Sequence, residues 1–225
     1  MIKLRKFRSI TNTYFYQKLV MTVIVLANEW QKEELLSKSK KDGVQFIFTD
    51  SLEELIGQTD ADAWFILKEI NSFDTLYNKL QVKPVIINSV ISSLSELNAP
   101  SNFHRINGWV SFLKRSLWEV ASNDEPALQG LMSYLGYEYK VVKDEPGFVA
   151  ARVVSMIINE AYFALEQQVS SKNEIDIAMK LGTNYPFGPF EWGEKIGLTN
   201  INKLLSKLNE TDQRYKVCSA LASEI

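Results

Sequence analysis

The chain has one cysteine and one histidine, and this scarcity excludes several kinds of protein. A single cysteine, Cys218, cannot form an internal disulfide, so a disulfide-stapled secreted fold is excluded. With His104 as the only histidine, the chain also lacks the Cys/His cluster that a zinc site requires, and we predict no metal site. A reducing compartment is therefore expected, and we predict a cytoplasmic protein.

An excess of charge of one sign and long apolar runs are missing as well. The 25 basic residues nearly balance the 27 acidic residues, which leaves a formal net charge of −2. This balance provides no electrostatic footprint for nucleic acid or for an anionic membrane. No stretch reaches the ~18 apolar residues of a membrane-spanning helix. We therefore expect neither nucleic acid nor a membrane as a partner.

The chain does contain enough apolar sequence for a core. Its 225 residues are 46% hydrophobic and 12% aromatic, which suits one domain of ordinary size or two small ones. Residues 1–20 differ, because they hold five basic and no acidic residues but lack the apolar segment and cleavage site of a secretory signal. We interpret residues 1–20 either as a disordered arm or as the result of a start codon assigned too far upstream, with the folded chain beginning at Met21.

Short apolar runs alternate with helical patterns between Met21 and residue 143. Strands are predicted over 22–26, 44–49, 63–67, 85–87 and 137–142, and helices over 30–39, 52–56, 72–80 and 126–134. Ser51 with Glu54 predicts a capping box for the second of these helices. The alternation indicates an α/β fold with a Rossmann-like parallel sheet. Because each strand–helix–strand unit takes ~30 or more residues, we expect a truncated sheet, only part of a six-stranded one.

The turn after the first strand lacks glycine. Dinucleotide-binding folds use the pattern G-x-G-x-x-G there, because main-chain amides at a helix N-terminus must approach the pyrophosphate. Here the turn reads Leu26-Ala27-Asn28-Glu29-Trp30-Gln31, so that Trp30 fills the space and Glu29 adds negative charge. Asp50 closes the second strand at the place of a ribose-binding acid, although an aspartate there also serves as a turn residue or cap. We expect weak NAD binding or none.

Residues 144–225 read as an all-α domain. A first helix is predicted from Pro146-Gly147 to Ser170, with a buried face at helical spacing formed by Val149, Val153, Met156, Ile157, Phe163 and Ala164. Further helices are predicted from Asn173 to a C-cap at Gly182, from about residue 190 to Gly197, and over 200–208. A rigid aromatic turn over 185–191, with two prolines, separates the second helix from the third.

Five motifs follow one another in this domain. They are Pro146-Gly147-Phe148, Asn159-Glu160-Ala161, Ile175-Asp176 with Ala178-Met179-Lys180-Leu181-Gly182, Tyr185-Pro186 with Gly188-Pro189-Phe190-Glu191, and Gly197-Leu198. In this order they resemble the C-terminal helical domain of the 3-hydroxyacyl-CoA dehydrogenases. The resemblance implies a 6-phosphogluconate-dehydrogenase-C-terminal-like domain at 144–225 after a degenerate Rossmann-like domain at 21–143. It also implies a homodimer formed through the helical domain, an acyl-CoA ligand, and NAD as the cofactor.

The resemblance further implies site residues between Ser89 and Val120. In the family, a histidine of an H-F-F-N-P segment is the general base for the substrate hydroxyl, and a glutamate holds its imidazole in the productive tautomer. His104 and Asn107 fall on that segment, and Glu119 falls on the glutamate if an insertion near 112–114 is allowed. Ser89 and Asn107 are the candidates for binding substrate, and Ser92 or Ser93 are alternatives to Ser89. His104 equally fits a strand-end histidine with no role in proton transfer.

Two family positions are not matched. Ala151 replaces an asparagine after Pro-Gly-Phe, and Val90 replaces a substrate-contacting serine. Losing positioned polar groups removes transition-state stabilisation, so we favour a pseudoenzyme that keeps the dimer and a cleft for a CoA thioester. One alternative is an active NAD-dependent dehydrogenase with an atypical cofactor loop, in which His104 is the base. Another is a subunit that borrows nucleotide-binding residues from a companion protein.

Overall fold

The computed structural model describes residues 4–8, 14–18, 20–70 and 72–225. The chain divides into two compact units. The sheet unit consists of Met1–Asn88 with Leu97–Val141, and the helical unit consists of Ser89–Glu96 with Val142–Ile225. The prediction for residues 1–20 falls partly outside the described residues, because 1–3, 9–13 and 19 are not among them. Within that stretch the structure describes two antiparallel strands, β1 (Leu4–Arg8) and β2 (Tyr14–Lys18).

Seven further strands of the sheet unit form one sheet. They are β3 (Met21–Leu26), β4 (Val44–Thr49), β5 (Ala63–Ile66), β6 (Val85–Asn88), β7 (Phe103–Ile106), β8 (Leu117–Ser122) and β9 (Glu138–Val141). Their spatial order is β4-β3-β5-β6-β7-β8-β9, and every neighbouring pair is parallel except β7 with β8. The helices of this unit are α1 (Glu29–Ser37), α2 (Leu52–Gly57), α3 (Asp74–Lys79) and α4 (Glu125–Leu135). The predicted Rossmann-like architecture is confirmed.

The expectation of only part of a six-stranded sheet is wrong, because seven strands are present. Two features allow seven strands to form from a short stretch of chain. Helices α2 and α3 are six residues each, and β6, β7 and β8 follow one another with no helix between them. With a full helix after every strand, the same number of residues would hold only part of a six-stranded sheet.

Burial explains why the inner strands are continuous apolar runs. Every residue of β5 is buried, as are the last four residues of β3 and the first three of β6. Strands covered on both faces are expected to be apolar throughout and rich in branched side chains. These strands therefore fix where the connecting turns lie at the carboxyl edge of the sheet.

The helical unit contains α5 (Ala150–Glu166), α6 (Lys172–Thr183), α7 (Pro189–Ile196), α8 (Leu198–Asn209), a 3-10 turn (Gln213–Tyr215) and α9 (Ser219–Ala222). The predicted helices are present, with three corrections to their ends. The first helix is shorter than 147–170. The N-cap of α6 is Ser171, which forms a capping box with Glu174, and not Asn173. The C-cap of α6 is Asn184, with φ of 55°, and not Gly182.

The predicted Ser51–Glu54 capping box is only half formed. The Glu54 amide donates to Ser51 Oγ at 3.2 Å, as predicted. The Glu54 carboxylate, however, accepts from the Asp50 amide at 3.1 Å instead of from the Ser51 amide. The side chain therefore reaches one residue further back than a capping box requires.

Asp176 holds the start of α7. Its Oδ1 accepts from the Phe190 amide at 2.8 Å, and its Oδ2 accepts from the Glu191 amide at 3.1 Å. Gly188 lies against the same carboxylate, because a Cβ at this position would come within 2.3 Å of Asp176 Cγ. Asp176 and Gly188 of the recognised motifs are thus packing and capping residues for the α6–α7 turn.

Candidate functional site

The first turn of α1 follows β3, where a dinucleotide-binding fold holds its pyrophosphate. The Gln31 amide donates to Asn28 Oδ1 at 3.0 Å, and the Asn28 amide donates to Gln31 Oε1 at 3.0 Å. This reciprocal capping box occupies two of the main-chain donors around the helix start. At the start of α1, the Asn28 and Gln31 amides are therefore bonded to side chains of the helix start itself.

A hydrogen-bond network ties the neighbouring turns to α1 along the carboxyl edge of the sheet. The buried Gln31 side chain donates through Nε2 to the Leu67 carbonyl at 2.6 Å, and Asn88 Nδ2 donates to the same carbonyl at 3.0 Å. Asn88 Oδ1 accepts from the Gly108 amide at 3.0 Å. A Cβ on Gly108 would lie 2.6 Å from Asn88 Cγ, so these turns approach closely. Side chains of the chain itself fill this edge.

Asp50 lies directly after β4 and is exposed. The Lys68 ammonium donates to its main-chain carbonyl at 3.1 Å, and its amide donates to Glu54. Both contacts are main-chain contacts of a turn. Its assignment as a ribose-binding acid stays a prediction.

His104 lies inside strand β7 and is fully buried. Its Nδ1 and the Ser122 hydroxyl are 2.8 Å apart. Burial lowers the pKa of His104 to about 4, although Asp124 nearby acts in the opposite direction. The imidazole is therefore neutral at pH 7, and its Nε2 has no hydrogen-bond partner among the described residues.

The register of β7 with β8 decides which residues face each other. His104 pairs with Ser122, and Ile106 pairs with Val120. Directly opposite residues of an antiparallel pair project to the same face, and successive residues alternate. Glu119 therefore projects to the face opposite His104, so the structure does not bring together the predicted pair of base and carboxylate.

Asn107 directly follows the last residue of β7. Asn107 is buried, its Oδ1 accepts from the Trp109 amide at 3.2 Å, and its Nδ2 has no partner within the described ranges. The role of Asn107 in substrate binding stays a prediction.

Ser89 belongs to the helical unit, and its hydroxyl donates to the Ser92 carbonyl at 2.7 Å. The segment Ser89–Glu96 is fastened within that unit by the Asp144 carboxylate, which accepts from the Leu94 amide at 2.9 Å and the Ser95 amide at 3.1 Å. The role of Ser89 in substrate binding stays a prediction.

The helical unit has a groove of about 820 Å³ along α5. It is lined by Val142, Lys143, Glu145, Phe148, Val149, Arg152, Val153, Met156, Ile157, Glu160, Arg214 and Tyr215. The predicted buried face of the first helix is wrong on this point, because Val149 and Val153 are 59% and 51% exposed. The buried face is formed by Ala151, Val154, Ser155, Ile158, Asn159, Ala161 and Tyr162. Both faces are apolar, so spacing alone selected the wrong one.

Asn159, from the Asn-Glu-Ala motif, fastens the C-terminal segment to α5. Its Nδ2 donates to the Lys216 carbonyl at 2.9 Å, and its Oδ1 accepts from the Cys218 amide at 2.9 Å. Tyr162 continues the attachment by donating to Glu224 at 2.7 Å. Asn159 thus positions the Arg214–Tyr215 wall of the groove.

The described residues also bear on two other functions, membrane insertion and metal binding. None of the helices there combines the length and the apolar character needed to cross a membrane. The same residues contain no group of three or more His, Cys, Asp or Glu side chains arranged to hold a metal ion.

Sequence comparison finds relatives for the C-terminal part of the chain. Residues 147–223 match the family described as 3-hydroxyacyl-CoA dehydrogenase, C-terminal domain. A 3-hydroxyadipyl-CoA dehydrogenase of Escherichia coli K12 is 42% identical over 107 residues, covering 45% of this chain and 22% of the relative. A 3-hydroxybutyryl-CoA dehydrogenase of Bradyrhizobium diazoefficiens is 34% identical over 110 residues, covering 47% and 38%. The matches span well under half the length of these relatives.

Solved structures support the architecture. The (S)-3-hydroxybutyryl-CoA dehydrogenase of Ralstonia eutropha has a TM-score of 0.65 and covers 91% of this chain and 93% of that one, at 19% identity. It shows the fold alone. A 3-hydroxybutyryl-CoA dehydrogenase of Escherichia coli K12 is 32% identical, with a TM-score of 0.52, over 62% of this chain and 31% of that one. The fold class and the resemblance drawn from the motifs are both confirmed.

Proposed function

We propose that the chain is a 3-hydroxyacyl-CoA dehydrogenase-like protein of fatty-acid and acyl-CoA metabolism whose NAD-dependent activity is impaired or lost. The match of residues 147–223 to the C-terminal domain of the 3-hydroxyacyl-CoA dehydrogenases supports the family. The protein acts in the cytoplasm, keeps the helical unit for dimerisation, and keeps an acyl-CoA ligand. One observation carries the proposal: the carboxyl edge of the sheet is filled by the Gln31–Leu67–Asn88–Gly108 network.

The residues at this edge do not fit a dinucleotide. A pyrophosphate needs free amides at the start of a helix, yet the Gln31 amide is bonded to Asn28 and no glycine opens the turn. Glu29 is exposed in the first turn and adds a negative charge where two phosphates would lie. We therefore derive no hydride-transfer step for this chain.

The proton-transfer residues support the same proposal. On the resemblance, the general base is an imidazole oriented by a glutamate, but His104 and Glu119 project to opposite faces of the β7–β8 pair. A pKa of about 4 makes the buried His104 a weak base at neutral pH. Asn107 has an amide side chain that cannot take up a proton.

Calorimetric titration with NADH tests the cofactor half of the proposal, with a 3-hydroxybutyryl-CoA dehydrogenase as positive control. We expect no saturable heat from this chain and a normal isotherm from the control. A second titration with acetoacetyl-CoA is expected to give saturable binding. Sub-millimolar binding of NADH would contradict the proposal and favour an active dehydrogenase with an atypical cofactor loop.

An activity assay then tests the base. We expect wild type and His104→Ala to reduce acetoacetyl-CoA with NADH at the same background rate. A rate well above background that disappears in His104→Ala, with acetoacetyl-CoA binding retained, would show that His104 is the base.

A further inference from the structure

Strand β4 forms one edge of the seven-stranded sheet. It pairs with β3 on one side, and none of the described strands pairs with its other side. In the doubly wound strand order 3-2-1-4-5-6, the second strand takes the place of β4, and a third strand lies outside it. Here α2 leads from β4 directly to β5, which lies on the far side of β3. The place of the third strand is therefore open among the described residues.

The backbone groups of β4 point alternately to its two sides. The Met21 amide of β3 donates to the Gly43 carbonyl at 2.7 Å, so every second residue from Gly43 onwards turns its amide and carbonyl towards β3. Val44, Phe46 and Phe48 turn theirs to the open side. Within the described ranges, no hydrogen bond reaches the amide or carbonyl of Phe46 or Phe48 from that side. Such an edge is a template for pairing with an added strand.

Two lysines lie over this edge, although β4 itself carries no charge. Phe46 and Phe48 project to the same face and pack against the core. Lys40 Nζ lies 5.6 Å from the Phe46 ring centroid and donates to the Val44 carbonyl. Lys32 Nζ lies 5.2 Å from the Phe48 ring centroid. Neither lysine forms an ion pair with a carboxylate in the part of the chain that the structure describes.

The two lysines decide what kind of strand fits the edge. Side chains of an added strand that lie opposite Phe46 and Phe48 on the same face are next-but-one neighbours, ~7 Å apart, and each comes beside a lysine. A second copy of the chain joined edge to edge would bring the lysines of both copies together. Like charges across an interface disfavour that pairing, and lysines commonly protect sheet edges from self-association. Acidic side chains would be attracted instead.

We propose that the open edge of β4 binds an extended segment of another protein in which acidic residues alternate with apolar ones. The segment takes the place of the third strand, and its backbone pairs with Phe46 and Phe48. Its carboxylates pair with Lys32 and Lys40, and its apolar side chains lie on the face of Ile47, which is half-buried. This site belongs to the sheet unit alone, so it is independent of NAD, of acyl-CoA and of a dimer through the helical unit.

Hydrogen exchange of the full chain, followed by NMR, tests the backbone pairing. The probe is a capped peptide of about eight residues, a usual strand length, in which glutamate alternates with valine. The amides of Phe46 and Phe48 should exchange at least about tenfold more slowly with saturating peptide than without it. The Ile47 amide faces β3 and should exchange slowly in both states. Absence of binding at millimolar peptide, or binding that leaves Phe46 and Phe48 unchanged, would overturn the site.

Charge reversal tests the recognition of acidic residues. Lys32→Glu should raise the dissociation constant of the peptide about tenfold. A peptide with lysine in place of glutamate should bind this variant more tightly than it binds wild type. The matched control is Lys203→Glu, which changes an exposed lysine of α8 and alters the net charge equally, and it should leave the constant within about twofold. Equal weakening by both variants would show attraction by net charge alone and would overturn recognition at β4.

Hydrogen exchange without the peptide tests the other occupants of the edge. Protection of the Phe46 and Phe48 amides that grows with protein concentration would assign the edge to a second copy. Protection that is present at every concentration would assign it to another part of this chain. Either result would overturn the proposal. Circular dichroism checks that the variants are folded, and the exchange measurements on wild type decide the pairing even if Lys32→Glu does not fold.

Discussion

The carboxyl edge of the sheet and the outer face of α5 differ in how far their side chains find partners within the chain. At the edge, Gln31 and Asn88 bond the surrounding turns, and α1 caps itself. Along α5, two valines and two charged side chains are left to solvent. A polar cleft that is bonded internally has little left for a ligand, whereas an uncovered apolar face needs a partner. The uncovered apolar surface therefore lies in the helical unit.

The motifs kept in the helical unit perform packing and capping. Asp176 caps α7, Gly188 lets the turn approach that carboxylate, and Asn159 fastens the C-terminal segment. The motifs missing from the sheet unit are those that a cofactor would contact.

The largest expected effect tests whether the α6–α7 turn is as tightly built as the contacts indicate. Gly188→Ala would force a Cβ to within 2.3 Å of Asp176 Cγ, and we expect it to lower the free energy of unfolding by about 3 kcal/mol. The control is Gly182→Ala in α6, where no atom lies within 4 Å of the new Cβ. That change should be neutral or stabilising by up to ~1 kcal/mol. Urea unfolding of both variants measures the difference, and equal stabilities would contradict the packing role.

A fall in pH is expected to have an intermediate effect on the free energy of unfolding. This effect tests whether His104 is part of a closed core in the sheet unit. The pKa of His104 is about 4 in the folded chain, below its ordinary value of 6.5, so the unfolded chain binds more protons between these two values. Stability contributed by the neutral imidazole is therefore complete above pH 6.5 and is lost as pH falls towards 4, by about 2 kcal/mol at pH 5.

The check is urea unfolding at pH 7 and at pH 5 for wild type and for His104→Gln. The variant should lose much less stability between the two pH values than wild type does. A wild-type loss that persists in the variant would assign the acid sensitivity to other groups and would weaken the case that His104 is a buried structural residue.

The smallest effect concerns the start of α6 in the helical unit. Ser171→Ala should lower the free energy of unfolding by ~1 kcal/mol, because Ser171 Oγ accepts from the Glu174 amide at the N-cap. Asn173→Ala, at the position that the sequence favoured as the cap, should have almost no effect. Thermal unfolding distinguishes the two, and the reverse ranking would place the cap at Asn173.

Local patterns in the sequence were enough to predict the α/β order, the long helix and the packing motifs. They failed where a choice depended on distant residues. Gln31 reaches Leu67 through a contact 36 residues away, which no local pattern shows. The face of the β7–β8 pair to which His104 and Glu119 project depends on strand register, and register is set by pairing over the whole hairpin. The buried face of α5 was ambiguous because both faces are apolar.

The segment Ser89–Glu96 has a consequence for dissecting the chain. It is bracketed by β6 and β7 in sequence, yet Asp144 binds its amides, and the Gly147 amide donates to the Val90 carbonyl at 2.7 Å. In a fragment that starts at Val142, Asp144 would lose its two amide donors, and the fragment would lack the part of the helical unit formed by Ser89–Glu96. No single cut in the gene separates the two units cleanly, so recombination that exchanged one of them would have to carry eight residues from the middle of the other.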